Sequence, residues 1–204
     1  MPLEPLTGQQ AQPQLRESAV LLPLYERAGE PRALFIKRSD RVGLHKGEIG
    51  LPGGRIEPED AGPLAAALRE THEEVGIPPY AVLPIGALPP VATVVTSMLI
   101  HPFVGQLAGT PELQPDPFEV AETIEVPLAV LLDPATYHEE DWVIRGVQRR
   151  IFVYRHGPYD IWGATGRIVQ QFLRRLHAWP DRPAGYDWTL DEVASALAAT
   201  AGRD

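Results

Sequence analysis

Cysteine is absent from this 204-residue chain. Its absence excludes thiolate zinc sites, disulfide frameworks and a cysteine nucleophile, and permits a reducing compartment. A basic excess is lacking too: 27 Asp and Glu against 18 Lys and Arg leave a formal net charge of -9. That balance argues against non-specific binding to nucleic acid or to an anionic membrane, since both need a basic surface. The opening, MPLEPLTGQQAQPQLRES, has neither the basic n-region nor the apolar h-region of a signal peptide. From Val75 to Pro111 there is no Asp, Glu, Lys or Arg, yet prolines at 78, 79, 84, 89, 90 and 102 interrupt the run. They rule out one continuous apolar helix, so the stretch reads as buried strands between turns. The expectation is a soluble, cytoplasmic protein with neither nucleic acid nor membrane as partner. Nothing in the sequence sets an oligomeric state.

What is present is an ordinary globular composition, 44% hydrophobic and 22% charged, enough to bury a core. Residues 1–17 are polar and proline-containing and are expected to be a loosely held arm, with 18–204 forming one domain. Ser18–Tyr25 and Ala33–Lys37 predict a hairpin around the polar ERAGEPR segment. Residues 38–50 predict a loop with a short strand at its end. Leu64–Val75 is the clearest helix, with Pro63 in its first turn, Asp60 or Gly62 as cap, and Gly76 ending it. Strands are expected at Val82–Gly86, Ala92–Met98, Ile100–Leu107, Val143–Ile144 and Arg150–Arg155, with a long loop over Ala108–Glu119. Gly166–Trp179 has a helical apolar period, and Thr189 with Glu192 forms a capping box for Leu190–Ala199. The order predicts the α/β (α+β) class, a mixed sheet covered by helices that include a C-terminal pair.

The informative stretch is Leu51–Ile77, LPGGRIEPEDAGPLAAALRETHEEVGI. Glu70, Glu73 and Glu74 stand three and four apart on one helix face, where like charges cost about 0.2–0.5 kcal/mol per pair. They also occupy the last turns, where the helix dipole disfavours anions by a further ~0.3–1 kcal/mol each. Arg69, four before Glu73, relieves part of this. Local propensity does not explain the cluster; a hard divalent cation such as Mg2+ or Mn2+ would. The bland alternative is a solvated acidic face. Pro52-Gly53-Gly54 upstream would let the backbone turn sharply and approach a phosphate or a helix end.

These residues resemble the Nudix box: Gly, five residues, Glu, seven residues, Arg-Glu, an apolar residue, any residue, Glu-Glu, any residue, Gly, an apolar residue. Arg69-Glu70-Thr71-His72-Glu73-Glu74-Val75-Gly76-Ile77 fits the second half except at Thr71, where the family has an aliphatic residue. In the first half, five residues on from Gly54 is Asp60 rather than Glu, and eight residues rather than seven separate it from Arg69. Upstream, Leu34-Phe35-Ile36-Lys37-Arg38-Ser39, Gly47 and Leu51-Pro52-Gly53-Gly54 are similar to the signature of the coenzyme A pyrophosphatase branch. Gly43 stands where that signature has a second Arg, and Leu51 where it has Phe. The extra box residue, Glu119-Val120-Ala121-Glu122 and Ile161-Trp162-Gly163-Ala164-Thr165 also look like this branch, so the resemblance runs from about Ser18 to Leu176.

The resemblance implies a Nudix-like α/β/α sandwich and a metal-dependent pyrophosphohydrolase. It would split coenzyme A, and related derivatives, into 3',5'-ADP and 4'-phosphopantetheine. Glu70, Glu73 and Glu74 become the implied ligands of Mg2+ or Mn2+. Arg69 orients a glutamate, and Glu73, Glu119 or Glu122 serves as base. Arg38, Ser39, Gly53 and Gly54 become implied substrate contacts. Arg41, Lys46 and Arg55 are candidates to meet the 3'-phosphate in place of the missing Arg. His45 is a weaker candidate. Tyr137, Trp142, Tyr159 and Trp162 either stack on adenine or pack the core, with packing preferred. The alternatives are ADP-ribose, NADH or a dinucleoside polyphosphate as substrate, a non-catalytic nucleotide-binding Nudix module, or a structural domain with an acidic helix.

Overall fold

A computed structural model describes residues 15–41, 46–93, 96–183 and 185–201. The first two strands, β1 (Arg16–Arg27) and β2 (Glu30–Arg38), form a hairpin closed at the Arg27–Glu30 pair. Ala28 and Gly29 both take positive φ, 55° and 78°, as a tight two-residue turn between right-twisted strands requires. The expected seven-residue turn therefore shrinks to two, because Glu26, Pro31 and Arg32 continue the ladder. Arg16 and Glu17, assigned to the arm from sequence, already belong to β1; residues 1–14 lie outside the described residues.

Short strands β3 (Ile49–Gly50) and β4 (Gly53–Arg55) lead to helix α1 (Pro63–Val75), followed by β5 (Val82–Ala87), β6 (Val91–Ala92), β7 (Met98–Leu107) and β8 (Val120–Pro127). The sheet runs β3-β2-β1-β7-β5, with β4 on β1, β6 on β7 and β8 on β2. β1 and β7 are parallel and the other pairs antiparallel, so the sheet is mixed, as expected. Helix α2 (Leu128–Leu132) precedes a separate antiparallel sheet of β9 (Tyr137–Ile144), β10 (Val147–His156) and β11 (Tyr159–Ile161); helices α3 (Gly163–Ala178) and α4 (Leu190–Thr200) complete the chain.

Strand alternation sorts the core onto two faces. Ala19, Leu21 and Tyr25 of β1, with Leu34 and Ile36 of β2, pack on Ala66, Ala67 and Val75 of α1. Their neighbours Leu22, Leu24, Ala33 and Phe35 face the other way, onto Phe172 and Leu176 of α3 and Val193 and Leu197 of α4. The result is the α/β/α sandwich. Among the described residues no helix is long and apolar enough to cross a membrane.

The helix ends follow the local chemistry. Pro63 opens α1, and Gly76, left-handed at φ 78°, closes it with its N–H donated to the His72 carbonyl at 2.9 Å. Of the two cap candidates, Gly62 takes the N-cap position without a side-chain bond. In α4 the capping box is complete, Thr189 accepting from the Glu192 N–H and Glu192 from the Thr189 N–H. Thr189→Ala is expected to cost about 1 kcal/mol, a Tm drop of roughly 2–4 °C in a thermal melt. An unchanged melt would remove the cap from the account.

Three expectations are corrected. The strand over Ala92–Met98 is interrupted: Thr93 and Thr96 join hydroxyls at 2.6 Å and Ser97 has φ 53°, so the chain turns between β6 and β7; residues 94–95 lie outside the described residues. β9 begins at Tyr137 rather than Val143, and β10 covers Val147–His156. The expected helix over Gly166–Trp179 starts three residues earlier, at Gly163.

Candidate active site

The last turns of α1 lie against β4. The Gly53 N–H donates to Glu74 Oε2 at 2.9 Å, and an Arg38 guanidinium nitrogen stands 3.7 Å from Glu74 Oε1. Glu74 is 1% exposed, which eliminates a solvated acidic face as the explanation for it. The Gly-Gly pair makes this approach possible. Gly53 has φ 146°, and a Cβ there would fall 2.3 Å from the Ala19 carbonyl oxygen. A Cβ on Gly54 would lie 2.4–2.5 Å from the Glu70 carboxylate.

Arg69 ties the loop to the helix. Its Nε and Nη2 donate to the two Asp60 carboxylate oxygens, each at 3.0 Å. Nη1 donates to Glu70 Oε1 at 3.1 Å and Glu73 Oε2 at 2.9 Å, and Nη2 also reaches the Arg55 carbonyl at 3.1 Å. Asp60 is therefore a guanidinium partner rather than a helix cap. The bidentate bond holds its carboxyl below the usual range, with help from the Glu57 N–H. The role of Asp60 was missed from the sequence, although its position at the altered box residue was the available signal.

Burial pushes the Glu74 carboxyl up to about 8. The Gly53 N–H and the Arg38 charge pull it down, while Glu70 and Glu119 push it further up. Burial also raises Glu70; Arg69 opposes the rise, and Glu73 and Glu119 add to it. These carboxylates thus sense one another's charge, and Glu119, placed only by sequence pattern, belongs to the group. Its backbone carbonyl accepts the Ser39 N–H at 2.8 Å, joining the β2 end to the start of β8.

Glu122 does not join them. The β2–β8 ladder keeps one register as far as Glu122 opposite Lys37, then slips, so that Val120 lies opposite Arg38. Val120 packs on the α1 side, and Ile124 and Val126 pack on the α3 side. Glu122, two residues from Ile124, shares the α3 face and accepts a hydrogen bond from the Tyr159 hydroxyl. Glu73 also stands apart, its side chain 56% exposed and drawn to Arg69.

Of the other candidates, Ser39 is buried with its hydroxyl accepting the Arg41 N–H at 3.2 Å, and Arg41, Lys46 and Arg55 are exposed. Gly43 and His45 lie outside the described residues. Tyr137 packs between Phe152 and Tyr154, while Trp142 and Trp162 pair with ring centroids 5.4 Å apart.

As the side chains stand, no three carboxylate or imidazole groups among the described residues form a ready metal-ligand set. The donors nonetheless suit a hard cation. Glu70 and Glu74 present oxygens on adjacent turns, and their mutual repulsion and burial are the conditions a divalent charge would relieve. Glu73 would join by leaving Arg69.

Two cavities flank this arrangement. One of about 530 Å³ lies past the C-terminal end of α1, against His72, Tyr80, Glu112 and Gln114, and no Arg or Lys lines it. It is unsuited to an anion despite its size. The other, about 390 Å³, opens beside β3 and β11 and is lined by Lys37, Lys46, Tyr159 and Trp162. Lys37 was not singled out from sequence, because nothing there reveals that β11 returns beside β3, the edge neighbour of β2.

The family model described as NUDIX domain matches residues 15–145. The uncharacterized Nudix hydrolase NudL of Enterobacter sp. (strain 638) is 38% identical over 165 residues, 81% of this chain and 85% of that protein. NudL of Escherichia coli (strain K12) is 37% identical over the same extent. Among solved structures, a MutT/nudix family protein from Enterococcus faecalis superposes with a TM-score of 0.55 at 16% identity, covering 93% of this chain and 71% of that one. That likeness concerns the fold.

Proposed function

The chain belongs to the Nudix hydrolases, enzymes acting on phosphorus-containing anhydrides with divalent metal ions, and from that premise we propose that its substrate is coenzyme A. The observation that carries the proposal is Arg38. It occupies the arginine position of the branch signature and reaches the buried Glu74 at the Gly53–Gly54 turn.

In this reading Glu70 and Glu74, joined by Glu73, hold Mg2+ or Mn2+. When bound, the ion supplies positive charge against the diphosphate and acidifies water. Arg69 positions Glu70 through the bond described above and releases Glu73 to the ion. Glu119 takes the proton of the attacking water as its oxygen bonds to one phosphorus. The bridging P–O bond breaks and the other phosphate leaves, giving 3',5'-ADP and 4'-phosphopantetheine. Glu119 is preferred to Glu122 as base because its charge acts on Glu70 and Glu74, whereas Glu122 is engaged by Tyr159. Retention of Glu70, Glu73 and Glu74 supports catalysis over a binding-only module.

Incubation with CoA, ADP-ribose and NADH, with and without Mg2+ or Mn2+, tests the proposal. Metal-dependent formation of 3',5'-ADP and 4'-phosphopantetheine is the expected result. Turnover of ADP-ribose or NADH without CoA would overturn the substrate and keep the chemistry, in line with Gly43 replacing the second signature Arg.

A further inference from the structure

Coenzyme A carries a phosphate monoester on its ribose besides the diphosphate, and Gly43 stands where the branch signature has a second arginine. The basic residues of the chain suggest what replaces it. Of 18, only Lys37 and Lys46 are lysines. Both line the same cavity of about 390 Å³, within the usual range for small-molecule sites, about 300–1,000 Å³. Lys37 sits at the one position of the Leu-Phe-Ile-Lys-Arg-Ser segment that the signature leaves free.

Adjacent residues of a strand project to opposite faces. Arg38 goes to the α1 face and Glu74; Lys37 goes to the other, beside Tyr159 and Trp162. Glu122, opposite Lys37 in the ladder, accepts the Tyr159 hydroxyl, and of the two acids lining the cavity Asp160 pairs with Arg155 at 2.9 Å and Glu48 is likewise engaged. Within 4.0 Å, no ion pair of either lysine occurs among the described residues. An ammonium group is a compact charge with three donors, suited to a phosphate monoester. Tyr159 and Trp162 add aromatic walls of the kind on which a base stacks, and Trp142 braces Trp162 at 5.4 Å between centroids.

We infer that this cavity is the subsite for the nucleoside end of the substrate, with Lys37 and Lys46 selecting a phosphate monoester on the ribose. The inference rests on the CoA reading and extends it. The two anionic groups of one ligand would be held on opposite sides of β2, the ligand bending around the short strand Ile49–Gly50. ADP-ribose, which has no such monoester, would leave the lysines unused.

The test compares the full chain with a Lys37→Gln/Lys46→Gln double variant. The first readout is calorimetric binding of adenosine 3',5'-bisphosphate and of 5'-AMP in EDTA. The second is kcat/KM for CoA against 3'-dephospho-CoA with Mg2+. The wild type is expected to bind the bisphosphate at least about ten-fold more tightly than AMP. It should favour CoA over the dephospho form by roughly ten- to a hundred-fold, and the double variant should lose both preferences. A double variant that keeps them, or a wild type that has neither, overturns the inference. If the wild type hydrolyses neither CoA nor its dephospho form, the substrate reading fails by itself. Lysine-dependent preference for the bisphosphate would then still support the subsite, and its absence would overturn that too.

Discussion

Glu74→Gln is expected to abolish hydrolysis and at the same time stabilise the metal-free protein at pH 8. The two effects have one origin. Burial lifts the Glu74 carboxyl from an ordinary 4.5 to about 8. Between those values the unfolded chain has released a proton that the folded chain still holds. Rising pH therefore favours the unfolded state. The stability contributed by the protonated carboxyl is complete below about pH 4.5 and is lost as pH climbs toward 8. Glu70, also raised by burial, adds in the same direction. Glutamine keeps an oxygen for the Gly53 N–H and carries no proton to lose, so the variant should gain roughly 1–3 kcal/mol over wild type at pH 8 in EDTA. Added Mg2+ or Mn2+ should reverse the order, since binding to the folded state alone stabilises it and only the wild type keeps both carboxylates. Activity should fall about a thousand-fold, some 4 kcal/mol of barrier. Melting curves from pH 5.5 to 8.5 with and without metal, beside initial rates, check both halves. A variant less stable than wild type at pH 8 in EDTA, or one keeping a tenth of the activity, contradicts the assignment.

The second large effect separates two neighbouring glycines. Gly54→Ala should fold and lose about a hundred-fold in activity, whereas Gly53→Ala should fail to fold stably. At Gly54 the atoms nearest the new methyl are those of the Glu70 carboxylate, 2.4–2.5 Å away, the far end of a flexible side chain. That end swings aside at little cost to the core, but it then no longer faces Glu74. At Gly53 the methyl meets backbone, 2.3 Å from the Ala19 oxygen and 2.6 Å from the Val20 Cα, at φ 146°. Relief would separate β4 from β1, at a cost of about 3 kcal/mol or more. Melting temperature and rate measured together on both variants decide it. Equal stability of the pair, or full activity of Gly54→Ala, would mean that the turn does not shape the carboxylate site.

The sequence made the helix legible, because Pro63, Gly76 and the Glu70–Glu74 spacing are local signals, and so was the capping box of α4. The hairpin of β1 and β2 showed through two short apolar runs on either side of a polar segment. β9 did not. Its Tyr137–Trp142 segment, YHEEDW, is almost wholly exposed or half-buried and has no apolar face to read. The division of labour between Glu119 and Glu122 was illegible for another reason: both sit in one short acidic segment, and nothing local shows that Glu122 is in register with Ile124 on the α3 face while the ladder slips just before it and turns Val120 to the α1 face. The pairing of Asp60 with Arg69, and the meeting of Lys37 with Tyr159, depend on chain returns that no local pattern encodes.

The most direct test of the account is a ³¹P NMR record of CoA incubated with the protein and Mg2+, repeated with Glu70→Gln. The diphosphate resonances are expected to give way to two new phosphate monoester resonances, EDTA to stop the change, and the variant to leave the diphosphate intact over the same interval. A diphosphate that persists with wild type under Mg2+ and Mn2+ alike, or that disappears as fast with the variant, would contradict it.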